Sequence, residues 1–551
     1  MQQKVLKIHP KDNLIVALDH LRAGETVVCE GEAYAIEHDV PPKHKFATHD
    51  LAPGDRAYMY GVLVGKATAL IRRGEPITTT NLRHDAQGYG ARQASRSAWD
   101  APDVSRWRET TFMGYPRSNG SVGTANYWLF IPMVFCENRN ITLIREALIQ
   151  ALGYDQSRAY DFDVQSLVQQ HRQGATANEL LASEIVVTAE DIQSKRAFPN
   201  VDGIKFLTHE GGCGGTRFDS TTLCALFAGY VTNPNVAGAT VLSLGCQNAE
   251  VITLQQEIKK RDPNFSKPLY VLEQQKSKSE RDFIADAIKQ TFVGLTEANR
   301  LERQPAPLSK LVVGLECGGS DGFSGISANP AVGHAADLLV ALGGSVILSE
   351  FPELCGVEQE LTDRCVDEAT AEKFVNIMRA YSATAEAVGS GFDANPSPGN
   401  IKDGLITDAI KSAGAAKKGG TSPVIDVLDY TEPVTKSGLN LLCTPGNDVE
   451  STTGLAGSGA TVIMFTTGLG TPTGNAAAPT LKISSNTTLA KRMSDIIDID
   501  AGTVITGEDT IATKGEEILD FIIRTASGEY VPKAVGLGQD DFIPWKRGVS
   551  L

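Results

Sequence analysis

The chain has 551 residues, 42% of them hydrophobic and 21% charged, a balance that excludes a disordered or fibrous protein. Its 66 acidic residues outnumber 51 basic ones, and the formal charge of −15 excludes nucleic acid and anionic membrane surfaces as partners. The length passes the ~250–300 residues at which one hydrophobic core stops growing, so several domains are expected.

No apolar run approaches the ~20 residues of a membrane span; the longest are strand-length, such as Val462-Ile463-Met464-Phe465. The opening MQQKVLKIHPKDN lacks the apolar stretch of a signal peptide, which makes the cytoplasm the expected compartment. Nine cysteines, an odd number without a CxxC pair, fit reduced thiols better than a disulfide framework or a zinc ribbon. The acidic field also repels anionic small molecules, so a site for an acid must be locally basic and sheltered.

Residues 1–83 read as a small β-rich unit, with alternating segments at 4–8, 25–29, 33–36, 57–64 and 66–70 between Gly and Pro turns. Residues 84–106, rich in Gly, Ser, Ala and charge, read as a linker, mobile unless it wraps a neighbour. From Trp107 the pattern becomes strand then helix. Short apolar runs at 203–208, 240–245, 268–272, 311–315 and 345–348 alternate with amphipathic stretches such as 279–292 and 329–342. Further strands are expected at 439–442 and 461–466. The fold class is therefore α/β, with mainly parallel sheets covered by helices behind a small β unit. The boundary between an α/β domain at 107–305 and a C-terminal one at 306–551 falls in LERQPAPLSK (301–310).

Ligands in such sheets bind beyond the carboxyl ends of the strands. Six of those ends carry unusual loops: HEGGCGGTR (209–217), CQNAE (246–250), ECGGSDGFSG (316–325), SEFPELCG (349–356), CTPGNDVES (443–451) and TTGLGTPTGN (466–475). Glycine lets backbone approach a ligand, and the interspersed His, Cys, Glu and Asp supply metal ligands or acid/base groups. A shared catalytic mouth is the expected reading.

His209 and Cys213 form a candidate metal pair, against the alternative of a histidine that only holds a loop. Cys246, Cys317, Cys355 and Cys443 fall near strand ends, where a buried thiol is usually packing; their recurrence favours one or two ligands. Cys29, Cys136, Cys224 and Cys365 read as core or structural. Glu316, Asp321 and Glu350 can bind a hard cation or move a proton, with a helix cap as the plain alternative for Asp321. Lys45 and Arg217 are candidates for holding a substrate carboxylate. The PSPGN turn (396–400) presents Asn400 and Lys402. TTGLGTPTGN lacks the P-loop lysine and does not fit a dinucleotide fingerprint.

These loops carry a resemblance. The block 314–350, with GSVGT (120–124), THEGGCGG (208–215), LSLGCQ (242–247), NPSPGNIKDGL (395–405), TPGNDVES (444–451) and FTTGLGTPTGN (465–475), is similar to the altronate/galactarate dehydratase family. Residues 40–67 resemble the small β-clip SAF module that precedes its catalytic regions, and residues 427–451 look closer to the altronate branch. The resemblance implies loss of water from a hexonate, altronate giving 2-keto-3-deoxygluconate, with a divalent metal, iron(II) or manganese. It implies a metal pool of His209, Cys213, Cys246 and Cys317, and acid/base groups among Glu316, Asp321, His44 and Lys45. Arg217, Asn400 and Lys402 are the substrate-side candidates. Two departures bear on substrate choice: Ala125 stands where the family often has Arg, and Gln247 where it often has Glu. Galactarate dehydration and a sulfo-lyase reaction on 3-sulfolactate are the neighbouring alternatives, an iron–sulfur centre is a variant, and a non-catalytic sugar-acid sensor is the alternative outside enzymes. A homodimer is the default expectation.

Overall fold

The computed structural model describes residues 3–93, 98–154, 161–187 and 196–550. Residues 3–83 form short antiparallel sheets. One orders Val5–Leu6, Leu14–Ala17 and Lys45–Ala47; a hairpin pairs Thr26–Cys29 with Glu32–Ala35; a third joins Arg56–Met59, Val62–Ala67 and Leu82–Arg83. The segments expected at 57–64 and 66–70 are one hairpin: Tyr60 (φ 58°) and Gly61 (φ 81°) turn with both residues left-handed, as the twist of a tight hairpin demands.

Period-two alternation in the first of these sheets decides how the unit docks. Ile15, Ala17 and Phe46 face its own core, while Leu14, Val16 and Ala47 join the main core of the C-terminal domain. One sheet thus has two buried faces. The described parts of the 84–106 linker lie along the C-terminal domain rather than swinging free. Gly90 and Gln93 donate backbone N–H groups to Gln359 and Asp363, and Trp107 Nε1 reaches Asp520 at 2.8 Å. Residues 94–97 of that stretch lie outside the described ones.

The second domain holds a four-stranded parallel sheet built from β1 (Tyr127–Pro132), β2 (Gly203–Phe206), β3 (Val236–Ser243) and β4 (Leu269–Glu273), in the order β2-β1-β3-β4. Its entry and exit are stitched together, because Thr111–Pro116 pairs antiparallel with Gln304–Pro307. The stretch expected as a bare boundary at 301–310 therefore contains a strand. The C-terminal domain holds seven parallel strands: β5 (Val312–Cys317), β6 (Ser345–Leu348), β7 (Val424–Leu428), β8 (Gly438–Leu442), β9 (Val462–Thr467), β10 (Thr480–Ser484) and β11 (Ile499–Asp500). Their order is β7-β8-β6-β5-β9-β10-β11. The chain winds outward from β5 on one side and returns to β9 on the other, so the switch point for ligand binding lies between β5 and β9.

The six glycine-rich strand ends thus divide between two sheets. The 209–217 and 246–250 loops cap β2 and β3, and the other four cap β5, β6, β8 and β9. No helix among the described residues is long and apolar enough to cross a membrane.

The two α/β domains meet where helix α1 (Arg217–Thr232) crosses helix α2 (Asp448–Gly457). A Cβ at Gly229 would lie 2.0 Å from the Gly457 carbonyl oxygen, so the helices touch backbone to backbone. Gly229→Ala is expected to cost about 1–3 kcal/mol by overpacking, read as a lower urea midpoint, whereas Ala at the open Gly536 is expected to leave the midpoint unchanged.

Candidate active site

At the carboxyl end of β5, Glu316 and Cys317 are both buried, as are Glu350 and Glu353 just beyond β6. Acids at this depth need counter-charges. These come from one helical stretch, α3 (Asp408–Ala415) and the 3₁₀ turn Ala416–Gly419. Lys411 Nζ lies 2.6 Å from Glu353 Oε1, and Lys418 Nζ lies 2.5 Å from Glu350 Oε2. Asn395 bridges Lys411 and Glu353.

Hydroxyls complete the cluster. Ser451 and Ser349 donate to Glu316 Oε2 at 2.6 and 3.2 Å, and Thr444 Oγ1 accepts the backbone N–H of Glu350 at 2.8 Å. The Cys317 N–H donates to Glu350 Oε2 at 3.1 Å, and its thiol donates to Glu353 Oε2 at 3.2 Å. Glu350 adopts a left-handed backbone, φ 65° and ψ 59°, a conformation that costs a non-glycine residue about 1–2 kcal/mol. That turn aims the carboxyl back under β5.

The environment separates the titrations. Burial and then Glu350 hold the Glu316 carboxyl well above its ordinary range, and burial also raises Glu350. Burial raises Glu353 too, but Lys411 and Lys418 more than offset it and leave that carboxyl below its usual value. Burial, with Glu350 and Glu353, keeps the Cys317 thiol protonated. Asp448, at the start of α2 and half-buried, is pushed up to about 7 by burial and by the same two glutamates. It lies against Gly318, where a Cβ would come within 2.0 Å of Asp448 Oδ2.

The N-terminal module adds a second cluster to the same loop. Lys43 Nζ sits 3.0 Å from Asp321 Oδ2 and 2.9 Å from Asp403 Oδ1. Lys45 is wholly buried, donates to the Gly404 carbonyl at 2.7 Å, and is lowered to about 7 by desolvation. His44 Nε2 contacts the Lys402 carbonyl at 3.1 Å, and burial lowers its pKa.

The domain models that match this chain are those of the altronate/galactarate dehydratase SAF domain over residues 3–85, the D-galactarate dehydratase/altronate hydrolase second domain over 114–299, and the D-galactarate/altronate dehydratase C-terminal region over 308–550. The chain is 33% identical to the altronate dehydratase of Escherichia coli (strain K12) over 524 residues, 95% of each chain. It is 32% identical to the Bacillus subtilis (strain 168) altronate dehydratase, covering 96% of this chain and 95% of that one. It is also 32% identical to the E. coli galactarate dehydratase (L-threo-forming), covering 95% and 93%. The chain belongs to the galactarate/altronate dehydratase family. It is an enzyme of the hydro-lyase class with a mixed α/β fold behind an SAF module.

Within this hydro-lyase the residues expected from sequence fall into different places. Glu316 and Cys317 enter the buried cluster. His209 does not have a free nitrogen for a metal: Nε2 donates to the Pro132 carbonyl at 2.7 Å and Nδ1 accepts from Gly211 N–H at 2.9 Å. Desolvation lowers it to about 4, so it is a neutral loop-holding ring. Cys213 and Cys246 are exposed and belong with neither metal-capable cluster of the described residues. Cys136, expected in the core, is exposed as well. The 208–215 loop instead borders a separate cavity of about 690 Å³, closed by Tyr430, Phe542 and Trp545.

Asp321 is saturated. Its Oδ1 accepts from Phe323 N–H, Ser324 N–H and the Ser324 and Ser485 hydroxyls, and its Oδ2 meets Asn486 and Lys43. It caps a turn and anchors the module, which leaves no lone pair for proton transfer. Asn400 likewise caps its own short helix with Ser397 and donates to the Ser320 carbonyl. Arg217 is exposed on the first turn of α1, and Lys402 is exposed with only its carbonyl engaged by His44. Ala125 is buried at the amino end of β1, opposite the ligand-binding edge of its sheet, so this position does not select a substrate there. Gln247 turns inward on its own loop, accepting from Gly245 N–H and donating to Ser243.

Sequence reasoning missed Lys43, Glu353, Lys411, Lys418 and Asp448. The available signal was two lysines seven residues apart in the small-residue run IKSAGAAKKGG, together with Glu353 three residues after Glu350.

The donor set suits a divalent transition metal. Ligand atoms of Cys317, Glu350 and Glu353 lie within 4.8 Å of one another, and Glu316 Oε1 and Glu350 Oε1 are buried without hydrogen bonds. One sulfur and several carboxylate oxygens match a borderline ion. Without metal, the raised carboxyls stabilise the fold below their unfolded pKa near 4, and that contribution is lost as pH rises through 7. Metal-free protein is therefore expected to melt lower at about pH 8 than at about pH 5, with Asp448→Asn reducing the difference. Lys45, lowered to about 7, acts in the opposite sense only above neutrality. A melting temperature that climbs from pH 5 to pH 8 would overturn this account.

Proposed function

We propose that the chain dehydrates D-altronate to 2-keto-3-deoxy-D-gluconate in the cytoplasm, using a divalent iron or manganese ion. The carrying observation is the buried acid cluster at the ends of the central strands, with Asp448 near 7 and Glu316 above its ordinary range, beside two buried lysines. Full-length similarity to two enzymes named altronate dehydratase supports the hexonate. Nine cysteines with no disulfide between them support a reducing compartment.

Elimination requires removal of a weakly acidic C2 proton and protonation of the departing 3-hydroxyl. Asp448 is the group set to take the C2 proton, being half-buried, open to the rim and near 7, where base strength and deprotonated population are both useful. Glu316, held protonated, is the reservoir for the leaving hydroxyl. Lys411 and Lys43 supply the positive charge that an anionic substrate needs in an acidic protein. Cys317, Glu350 and Glu353 would hold the ion, and a bound divalent metal supplies Lewis-acid stabilisation of charge developing on the α-hydroxy acid. Burial of the cluster excludes bulk water from the reacting carbon.

The test is an anaerobic assay of iron(II)-loaded protein with D-altronate, galactarate and 3-sulfolactate in parallel. Keto acid from altronate alone, abolished by chelator, is expected. Sulfite release, or turnover of galactarate only, would sink the substrate assignment. Asp448→Asn is expected to lower kcat by about 10²–10⁴-fold with little change in KM, while Asp321→Asn should lower stability first.

A further inference from the structure

Beyond the buried acid cluster, one other group of side chains in the described residues places three metal-capable atoms together. His84, Cys355 and Asp408 offer a nitrogen, a sulfur and a carboxylate oxygen within 4.8 Å of one another. They come from three separate pieces of chain. His84 directly follows the last strand of the SAF module, Cys355 ends the 3₁₀ turn Phe351–Leu354, and Asp408 opens α3.

The backbone is shaped for this meeting. Gly356 is left-handed (φ 93°), and a Cβ there would stand 3.2 Å from Ala409 Cβ and 3.5 Å from Ala86 Cβ. The strap after His84, the loop after Cys355 and the first turn of α3 are therefore in direct contact. Asp408 is almost fully buried, accepts from Ser412 through Oδ1, and keeps Oδ2 without a hydrogen bond. Its carboxyl is pushed up to about 8, by burial first, with the Cys355 thiol bonded to it. A buried carboxyl facing a thiol and an imidazole, with one ligand atom of each within 4.8 Å of the others, has the donor chemistry of a borderline divalent ion.

We propose that His84, Cys355 and Asp408 form a second, structural site for a zinc-class divalent ion that fastens the SAF module and its strap to the catalytic domain. Zn–S near 2.3 Å and Zn–N near 2.0 Å put tetrahedral ligands ~3.5–4 Å apart, so modest side-chain rotation closes the site. Binding releases the thiol and carboxyl protons, and a water or exogenous ligand completes the tetrahedron. The site does not depend on the reaction assigned above. Its consequence is positional: the strap it holds leaves the module that carries Lys43, His44 and Lys45.

The test uses the full chain, stripped with chelator and reloaded with zinc or cobalt(II). Zinc should protect Cys355 from alkylation by iodoacetamide, mapped by mass spectrometry, and should protect residues 84–93 of the strap from limited proteolysis. Cobalt loading should give a thiolate charge-transfer band that survives Cys317→Ser and is lost in Cys355→Ser, with His84→Ala binding one equivalent less metal than wild type. Equal alkylation of Cys355 with and without zinc would overturn the proposal on the wild-type protein alone, whatever the folding of the variants. Loss of the band in Cys317→Ser but not in Cys355→Ser would overturn it too.

Discussion

Three glutamates and a thiol sit below the surface at the centre of a parallel sheet, and a buried charge without a partner is among the costliest features a fold can carry. Everything else in the C-terminal domain is arranged around making that tolerable. Lys411 and Lys418 approach from one helical stretch and take Glu353 and Glu350 respectively. Burial and the neighbouring Glu350 raise the Glu316 carboxyl, against the hydrogen bond from Ser451, which favours its ionised form. The result is two ion pairs beside a carboxyl whose affinity for a proton is raised by burial.

That arrangement explains why the helix supplying the lysines cannot be an independent element. It is pressed between the sheet and the SAF module, where Thr407 donates to the Val64 carbonyl and Gly414 packs against Gly325. The module is held by a sheet with two buried faces, and its Lys43 and Lys45 reach loops 321–322 and 403–404 of the catalytic domain. A module fused only for stability would need the apolar face alone. Two lysines placed against the loop that follows the central strand make it part of the electrostatics of the site.

Much of this was legible in the residues. The strands at 203–208, 311–315 and 345–348 were marked by short apolar runs, and helix 280–298 begins after its Ser279 cap, one residue from the expected start. β1 was not: YWLFIP is buried along its whole length, so it shows no alternation to distinguish strand from core helix. Sheet order was equally hidden, since periodicity says nothing about which strand pairs with which, so the division of the six loops between two sheets could not be read. The lysines were invisible for a statistical reason with a physical basis. Lysine is almost never buried unless paired, and its partners Glu350 and Glu353 lie some sixty residues earlier. His209 misled because a glycine-flanked histidine beside a cysteine has the same local pattern whether its ring binds metal or holds a loop.

The chain's acidity and the anionic substrate proposed for it pull in opposite directions, and burial is what separates the two. A net charge of −15 sets a long-range field that disfavours a sugar acid at a distance, but that field is screened within about 8–10 Å at ordinary salt. Inside the site the lysines Lys43, Lys411 and Lys418 are held against acids, and Lys418 meets Glu350, whose carboxyl burial raises. Protonation of a buried acid and retention of a nearby lysine charge are the same adjustment seen from two sides. A surface carboxylate could not make it, since water would hold it ionised. The acid cluster is accordingly buried at the strand ends, beside Asp448 of the 444–451 loop, rather than on the surface.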